Sequence, residues 1–247
     1  MIEERAAAVR TIGLIGGMSW ESTAEYYRLI NEHTRDRLGG LHSARCVLYS
    51  VDFAEIERLQ TEGRWAEAGE VLADAARAVQ AAGADMVLIC TNTMHKVADA
   101  VAAAVSVPLL HLADATADAV HAAGVRRVGL LGTAFTMEQD FYRGRLEGRG
   151  LDVRVPDAAG RALVHDIIYG ELCLGEVREE SRSAYREIIR SLVADGAEGV
   201  ILGCTEIELL IGAEDSPVPV FPTARLHALA AVDAALRAPE GPDAPEG

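Results

Sequence analysis

The chain is predicted to be an α/β protein made of two pseudo-symmetric α/β domains. Each has a mainly parallel sheet flanked by helices, and the active site lies in the cleft between them. Three observations carry this expectation. Short apolar runs alternate with longer amphipathic stretches along the 247 residues, the pattern of strand–helix–strand units. Runs such as Met86-Val87-Leu88-Ile89 are apolar on both faces, as a strand in a covered parallel sheet requires. The plan also occurs twice. Ile12-Gly13-Leu14-Ile15-Gly16 recurs as Val128-Gly129-Leu130-Leu131-Gly132, an offset of 128 − 12 = 116. Gly83-Ala84-Asp85 recurs as Gly196-Ala197-Glu198 (196 − 83 = 113), and Val107-Pro108 as Val218-Pro219 (218 − 107 = 111). The order is kept and the offset drifts by only a few residues, as small loop deletions would produce.

In the first half the strands are expected at Thr11–Ile15, Cys46–Val51, Met86–Thr91 and Val107–His111. Helical spacing with few breakers covers Glu21–Arg37, Arg64–Ala82 and Met94–Val105, with a short helical stretch after Asp52. In the second half, strands are expected at Arg127–Leu131, Leu151–Val155, Gly199–Cys204 and Pro217–Phe221. Helices follow at Met137–Arg149, Leu163–Leu172, Glu176–Ala194 and Thr223–Arg237. The first domain is assigned to residues 10–112 plus 223–238 and the second to 113–222. The first eight or nine residues read as a loose extension. The Pro-, Gly- and acid-rich tail 239–247 reads as disordered.

With 38 acidic and 23 basic residues, the net charge is −15. That balance argues against nucleic acid and against an anionic membrane surface as partners. No run of about 18 apolar residues marks a membrane span. Cys46, Cys90, Cys173 and Cys204 are too few and too scattered for a disulfide scaffold, which points to a cytoplasmic protein with reduced thiols. Lys96 is the only lysine, so a pyridoxal-phosphate Schiff base would have to rest on it. The seven histidines show no metal-ligand spacing such as His-Glu-x-x-His. The glycines around Gly16 match the dinucleotide fingerprint poorly, although Asp52 sits where that fold wants an acid.

Ligands of such folds bind beyond the carboxyl ends of the strands. Past the third strand of each half, the 113 offset pairs Cys90 with Gly203 and Thr91 with Cys204. It pairs Asn92 with Thr205 and Thr93 with Glu206. Cys204, at a strand-to-helix turn, is the main chemical candidate. A helix N-terminus favours the thiolate and lowers the ordinary pKa of about 8.5. A small buried hydrophobe is the bland reading of the same residue. Adjacent strand residues face opposite ways, so Cys90 and Thr91 do not both face the cleft, and the register selects Thr91, whose bland reading is a helix cap. Cys46 and Cys173 lie in apolar patterns and are assigned to the core. Met18, after Gly16-Gly17, lies where the backbone comes close to a ligand. Thr133 and Thr136 occupy the corresponding loop of the second half.

Thr91-Asn92-Thr93, Gly203-Cys204-Thr205-Glu206 and Gly16-Gly17-Met18-Ser19-Trp20-Glu21-Ser22-Thr23 together resemble the aspartate/glutamate racemase family. The similarity runs from about Thr11 to the last helix. Cys90-Thr91-Asn92-Thr93-Met94-His95 is most similar to a subgroup in which a Thr/Cys pair replaces Cys/Cys. The resemblance implies a cofactor-independent racemase acting on aspartate or glutamate, with a final helix returning to the first domain. It also implies a homodimer and a substrate contact from Gln60. The chemistry agrees. Racemisation removes the α-proton from one face of Cα and returns one to the other, which two acid–base groups on opposite walls achieve. Without an electron sink, hydrogen bonds to the substrate carboxylate must hold the carbanion-like state. Asn92, Thr93, Thr133 and Thr205 are the candidates, with Lys96, Arg161 or another arginine for a side-chain carboxylate. His95 is expected to pack near the site. Two other readings remain open: a single-cysteine decarboxylase or isomerase of a dicarboxylate, and a non-catalytic two-domain binding protein.

Overall fold

A computed structural model describes residues 9–237. The expected tail, and the expected N-terminal extension apart from Val9, lie outside the described residues. Two parallel sheets form. The first holds β1 (Ile12–Gly16), β2 (Cys46–Ser50) and β3 (Met86–Ile89) in the order β2-β1-β3. The second holds β4 (Arg127–Gly132), β5 (Asp152–Arg154), β6 (Gly199–Gly203) and β7 (Val220–Pro222) in the order β5-β4-β6-β7. The two orders are the same path drawn twice, β1 answering to β4 and β3 to β6. The expected strand at Val107–His111 shrinks to a single parallel bridge, Val87 to Leu109. Pro108 has no N–H to extend that ladder.

Helices cover both faces of the first sheet. On one side lie α2 (Phe53–Thr61), α3 (Trp65–Ala81) and α4 (Ala98–Ala103), packed on Ile15, Val87 and Ile89. On the other, α1 (Trp20–Leu38) and α10 (Thr223–Leu236) pack on Ile12, Leu14, Met86, Leu88 and Cys90. Strand residues thus alternate between two separate cores, as the period of 2 demands. Alanines at 224, 228, 231 and 235 let α10 approach closely, so the last helix of the chain closes the first sheet.

The second sheet packs among α5 (Leu112–Ala122), α6 (Ala134–Glu138), α7 (Asp140–Gly148), α8 (Ala158–Gly170) and α9 (Glu179–Ala194). Helix α5 was not expected; His111 caps it by accepting from Ala113 N–H at 3.1 Å. The single helix expected at Met137–Arg149 is two, because Gln139 is extended (φ −99°, ψ 149°). The helix expected at Leu163 begins at Ala158, capped by Asp157.

Helix expectations also change after β3. The stretch from Met94 starts as a 3-10 turn, Thr93–Val97, before α4. The cause is His95. Its Nδ1–H donates to Thr91 O at 2.8 Å, and its Nε2 accepts from Leu112 N–H at 3.2 Å. The ring pins the turn beneath Thr91 and joins it to α5.

Candidate active site

The loops beyond β1, β3, β4 and β6 meet at one cleft. Gly17 turns the first of them at φ +91°, where a Cβ would lie 2.2 Å from Val51 O, so only glycine fits. Ser19 then caps α1, its Oγ accepting from Ser22 N–H. The loop after β1 joins the loop after β6 twice. Ser19 Oγ donates to Glu206 Oε1 at 3.2 Å, and Ser22 Oγ lies 2.8 Å from Thr205 Oγ1. The symmetric contact joins the loops after β3 and β4, where Thr93 Oγ1 is 3.4 Å from Thr133 Oγ1. Each half thus sends the segment after its first strand onto the segment after the other half's third strand.

The cleft opens to solvent, with about 410 Å³ of space between its walls when the solvent at its mouth is included. Thr91 and Thr93 beyond β3, and Cys204 and Glu206 beyond β6, all line it, with Met18, Ser19, Gln60 and Thr133. Thr91 and Cys204 therefore share one space, approached from the two different sheets. Cys90, in contrast, is fully buried on the α10 side of the first sheet, with Met86 and Leu88.

The electrostatics of Cys204 differ from the expectation. Only a five-residue 3-10 turn, Thr205–Leu209, follows it, so no extended helix dipole stabilises a thiolate. Instead Cys204 Sγ–H donates to Glu206 Oε2 at 2.8 Å. Burial first, and the adjacent Glu206 charge second, push the thiol well above its ordinary pKa. The resting group is a protonated thiol hydrogen-bonded to a carboxylate. Thr91 is less well provided: its side chain makes no hydrogen bond among the described residues, while its carbonyl takes the His95 bond. His95 is buried, and desolvation holds its pKa down at about 3, so it is a neutral brace.

Of the expected contact residues, Met18, Gln60, Thr93 and Thr133 line the cleft and Asn92 and Thr205 do not. Asn92 is turned to α10, its Nδ2 donating to Thr223 Oγ1 at 3.1 Å. Thr205 faces Ser22. Thr136 is buried against Thr133 at 3.2 Å. Gln60 is held at the cleft by Nε2–H to Met94 Sδ, 2.9 Å. Cys173, assigned to the core from its apolar neighbours, packs half-buried against the second core and also lines the cleft with Phe53, Ile168 and Tyr169. The reason is α8, which ends at Gly170 and turns the chain back over the site. Neither expected cation reaches the cleft. Lys96 Nζ sits 3.8 Å over the Trp65 ring, and Arg161 is bound by Glu138 and Pro156 O, both at 2.8 Å. Sequence reasoning did not assign Glu206 as the partner of the thiol or Ser19 as the donor that holds Glu206, although Glu206 two residues after Cys204 was the available signal.

Two α/β halves thus meet across a cleft that the Cys204 thiol lines from one half and the Thr91 hydroxyl from the other. Comparison with known proteins identifies the family. Residues 15–231 match the Asp/Glu/hydantoin racemase family model, and the chain belongs to that family. A crystal structure from Yersinia pestis, presented as a candidate Asp/Glu racemase, is 56% identical with a TM-score of 0.88, covering 92% of this chain and 100% of that one. An aspartate racemase homologue from Pyrococcus horikoshii OT3 is 36% identical with a TM-score of 0.83, at the same coverages. Among curated proteins, the broad specificity amino-acid racemase RacX of Bacillus subtilis is 21% identical over 216 residues, 85% of this chain and 91% of that one.

Proposed function

We propose that the protein racemises an amino acid without pyridoxal phosphate, Cys204 working on one face of Cα and Thr91 on the other. One observation carries the reading: the two groups line the same cleft from opposite sheets. Glu206 completes the cysteine side. It accepts the thiol proton, and the thiolate so formed takes the α-proton. The Thr91 hydroxyl delivers a proton to the opposite face, its alkoxide is reprotonated from water, and Glu206 gives its proton to the hydroxide so formed, which restores the resting site. Backbone and side chains of Thr93 and Thr133 hold the substrate carboxylate as negative charge builds at Cα. The amino acids for which the family is named, aspartate and glutamate, are the first to be tried. A cytoplasmic homodimer remains part of the proposal.

The bare hydroxyl of Thr91 favours a second reading, in which Cys204 acts alone as the proton donor of a decarboxylase or isomerase. Incubation with L-aspartate, L-glutamate and a wider set of L-amino acids in D2O, followed by chiral chromatography and the Cα proton signal, tests the first reading. Deuterium incorporation with appearance of the D-isomer supports it. A folded protein that exchanges none of them overturns it. Thr91→Ala separates the two readings, since it abolishes racemisation and spares a one-base reaction.

A further inference from the structure

The repeat that pairs Thr91 with Cys204 (204 − 91 = 113) also pairs His95 with Glu208 (208 − 95 = 113). Each stands four residues past its proton-transfer group, in the 3-10 turn that follows the third strand of its half. The turns are Thr93–Val97 after β3 and Thr205–Leu209 after β6. Each side chain also reaches the start of the next long helix. His95 Nε2 accepts from Leu112 N–H at 3.2 Å, in the first turn of α5. Glu208 accepts from Ala224 N–H, in the first turn of α10. The first N–H groups of a helix have no partner within it, and Pro222 offers α10 no side-chain cap. Each proton-transfer turn thus supplies an acceptor to a helix start, and the bond ties the turn to that helix.

The two ties act on different backbones. Thr91 O accepts from His95 Nδ1–H at 2.8 Å, and the His95 ring lies 4.5 Å from that of His111 and 5.8 Å from that of His227. A β-branched side chain has few rotamers once its backbone is fixed, so the place of the Thr91 hydroxyl follows from the His95 bond. On the other wall, Cys204 O accepts from Ile207 N–H at 3.2 Å, and Glu208 follows Ile207. Glu208 Oε1 is buried without a hydrogen-bond partner among the described residues, so the Ala224 bond is that side chain's polar anchor. We propose that His95 and Glu208 are paired positioning residues, His95 for Thr91 and Glu208 for Cys204, each fixing one wall of the cleft independently of the other. The inference rests on the racemase reading above and names the residues that hold its two groups.

The experiment follows deuterium gained in D2O by the recovered starting enantiomer, at early times, for both enantiomers of the amino acid that the wild type exchanges fastest. That signal reports one wall at a time, because the group that removes the α-proton also returns the deuteron. Thr91→Ala shows which enantiomer Cys204 serves, since only that one still exchanges. His95→Phe and Glu208→Met remove the bonds at nearly constant volume. Circular dichroism checks folding, and His95→Gln or Glu208→Ala replaces a variant that fails to fold. His95→Phe should slow the Thr91-side enantiomer by at least about tenfold relative to the other, since a shift of about 1 Å costs up to about 10²-fold. Glu208→Met should slow the Cys204-side enantiomer by about fivefold relative to the other, less because Ser19 and Glu206 also hold that turn. His95→Asn, which keeps a donor for Thr91 O, and Glu208→Gln, which keeps an acceptor for Ala224 N–H, should restore the wild-type ratio. Equal slowing of both enantiomers, or no slowing, in folded His95 and Glu208 variants would overturn the inference and leave the racemase reading standing. A wild type that exchanges no amino acid would overturn the racemase reading and the inference with it.

Discussion

Cys204 and Thr91 differ in how the protein supports them, and the difference makes predictions. Cys204 has a carboxylate at 2.8 Å to take its proton; among the described residues the Thr91 hydroxyl has no such neighbour. Proton abstraction from the cysteine face should therefore outrun abstraction from the threonine face. Deuterium wash-in started from one enantiomer should be much faster than from the other, and Thr91→Cys should narrow the gap. Cys204→Ser should lower exchange by about 10³-fold, within the range for loss of an acid–base group. With Glu206 taking the thiol proton inside the site, activation releases no proton to solvent, so kcat/KM should be flat just above neutrality. In Glu206→Gln the thiol, still raised by burial, must ionise into solvent, so kcat/KM should fall and should climb with pH above neutrality. A variant that lost activity without gaining that climb would mean that Glu206 only shapes the loop.

At the scale of elements, two contacts hold the site's framework. Gly17 passes Val51 O so closely that a Cβ would meet it at 2.2 Å, with φ at +91°. Gly17→Ala should cost about 2 kcal/mol or more in denaturant unfolding, since both the conformation and the space exclude a methyl group. In the second half, Asp215 has a fully buried side chain that pairs with Arg182 at 3.2 Å and Arg186 at 2.6 Å. It also accepts from Gly212 N–H at 2.9 Å. This ties α9 to the segment between β6 and β7. Asp215→Asn should cost about 2 kcal/mol, less than for a wholly buried pair because both arginines are partly exposed. A loss under 0.5 kcal/mol in urea unfolding would remove the pair from the framework.

For the whole molecule, buried titratable groups set the pH range of stability. His95, His111 and His227 cluster where β3, α5 and α10 meet; the His95 ring is 4.5 Å from His111 and 5.8 Å from His227. Desolvation lowers them to about 3, 4 and 3 from an ordinary 6.5. Their folded pKa values are depressed, so the stability they support is complete above pH 6.5 and is lost as pH falls toward 4 and 3. Glu208 runs the other way. Burial raises it to about 8 from 4.5, so the folded state holds a proton that the unfolded chain has released. Its contribution is lost as pH rises from 4.5 through 8. Thermal melts across pH 4–9 should show Tm falling on the acid side, and Glu208→Gln should flatten the decline on the alkaline side. An equal alkaline decline in the variant would remove Glu208 as its cause.

The sequence by itself determined the strand–helix alternation, the duplication and the likeness of the motifs, because periodicity and repeat spacing are local properties of the chain. It placed Thr91 opposite Cys204 from the repeat register, and the alternation of β3 residues between two cores puts Cys90 on the far face. Five further features were decided only by the tertiary structure. A strand reduced to one bridge at Leu109, the helix α5 and the break at Gln139 depend on what packs beside them. Cys173 was read as core from its neighbours, yet the turn after α8 carries it to the cleft. The chemistry of Cys204 depended on an approach that no linear pattern encodes. Ser19, 187 residues away, aligns Glu206 against the thiol. The helix N-terminus that the sequence alone suggested is a short 3-10 turn, and burial and a side chain's charge outweigh it.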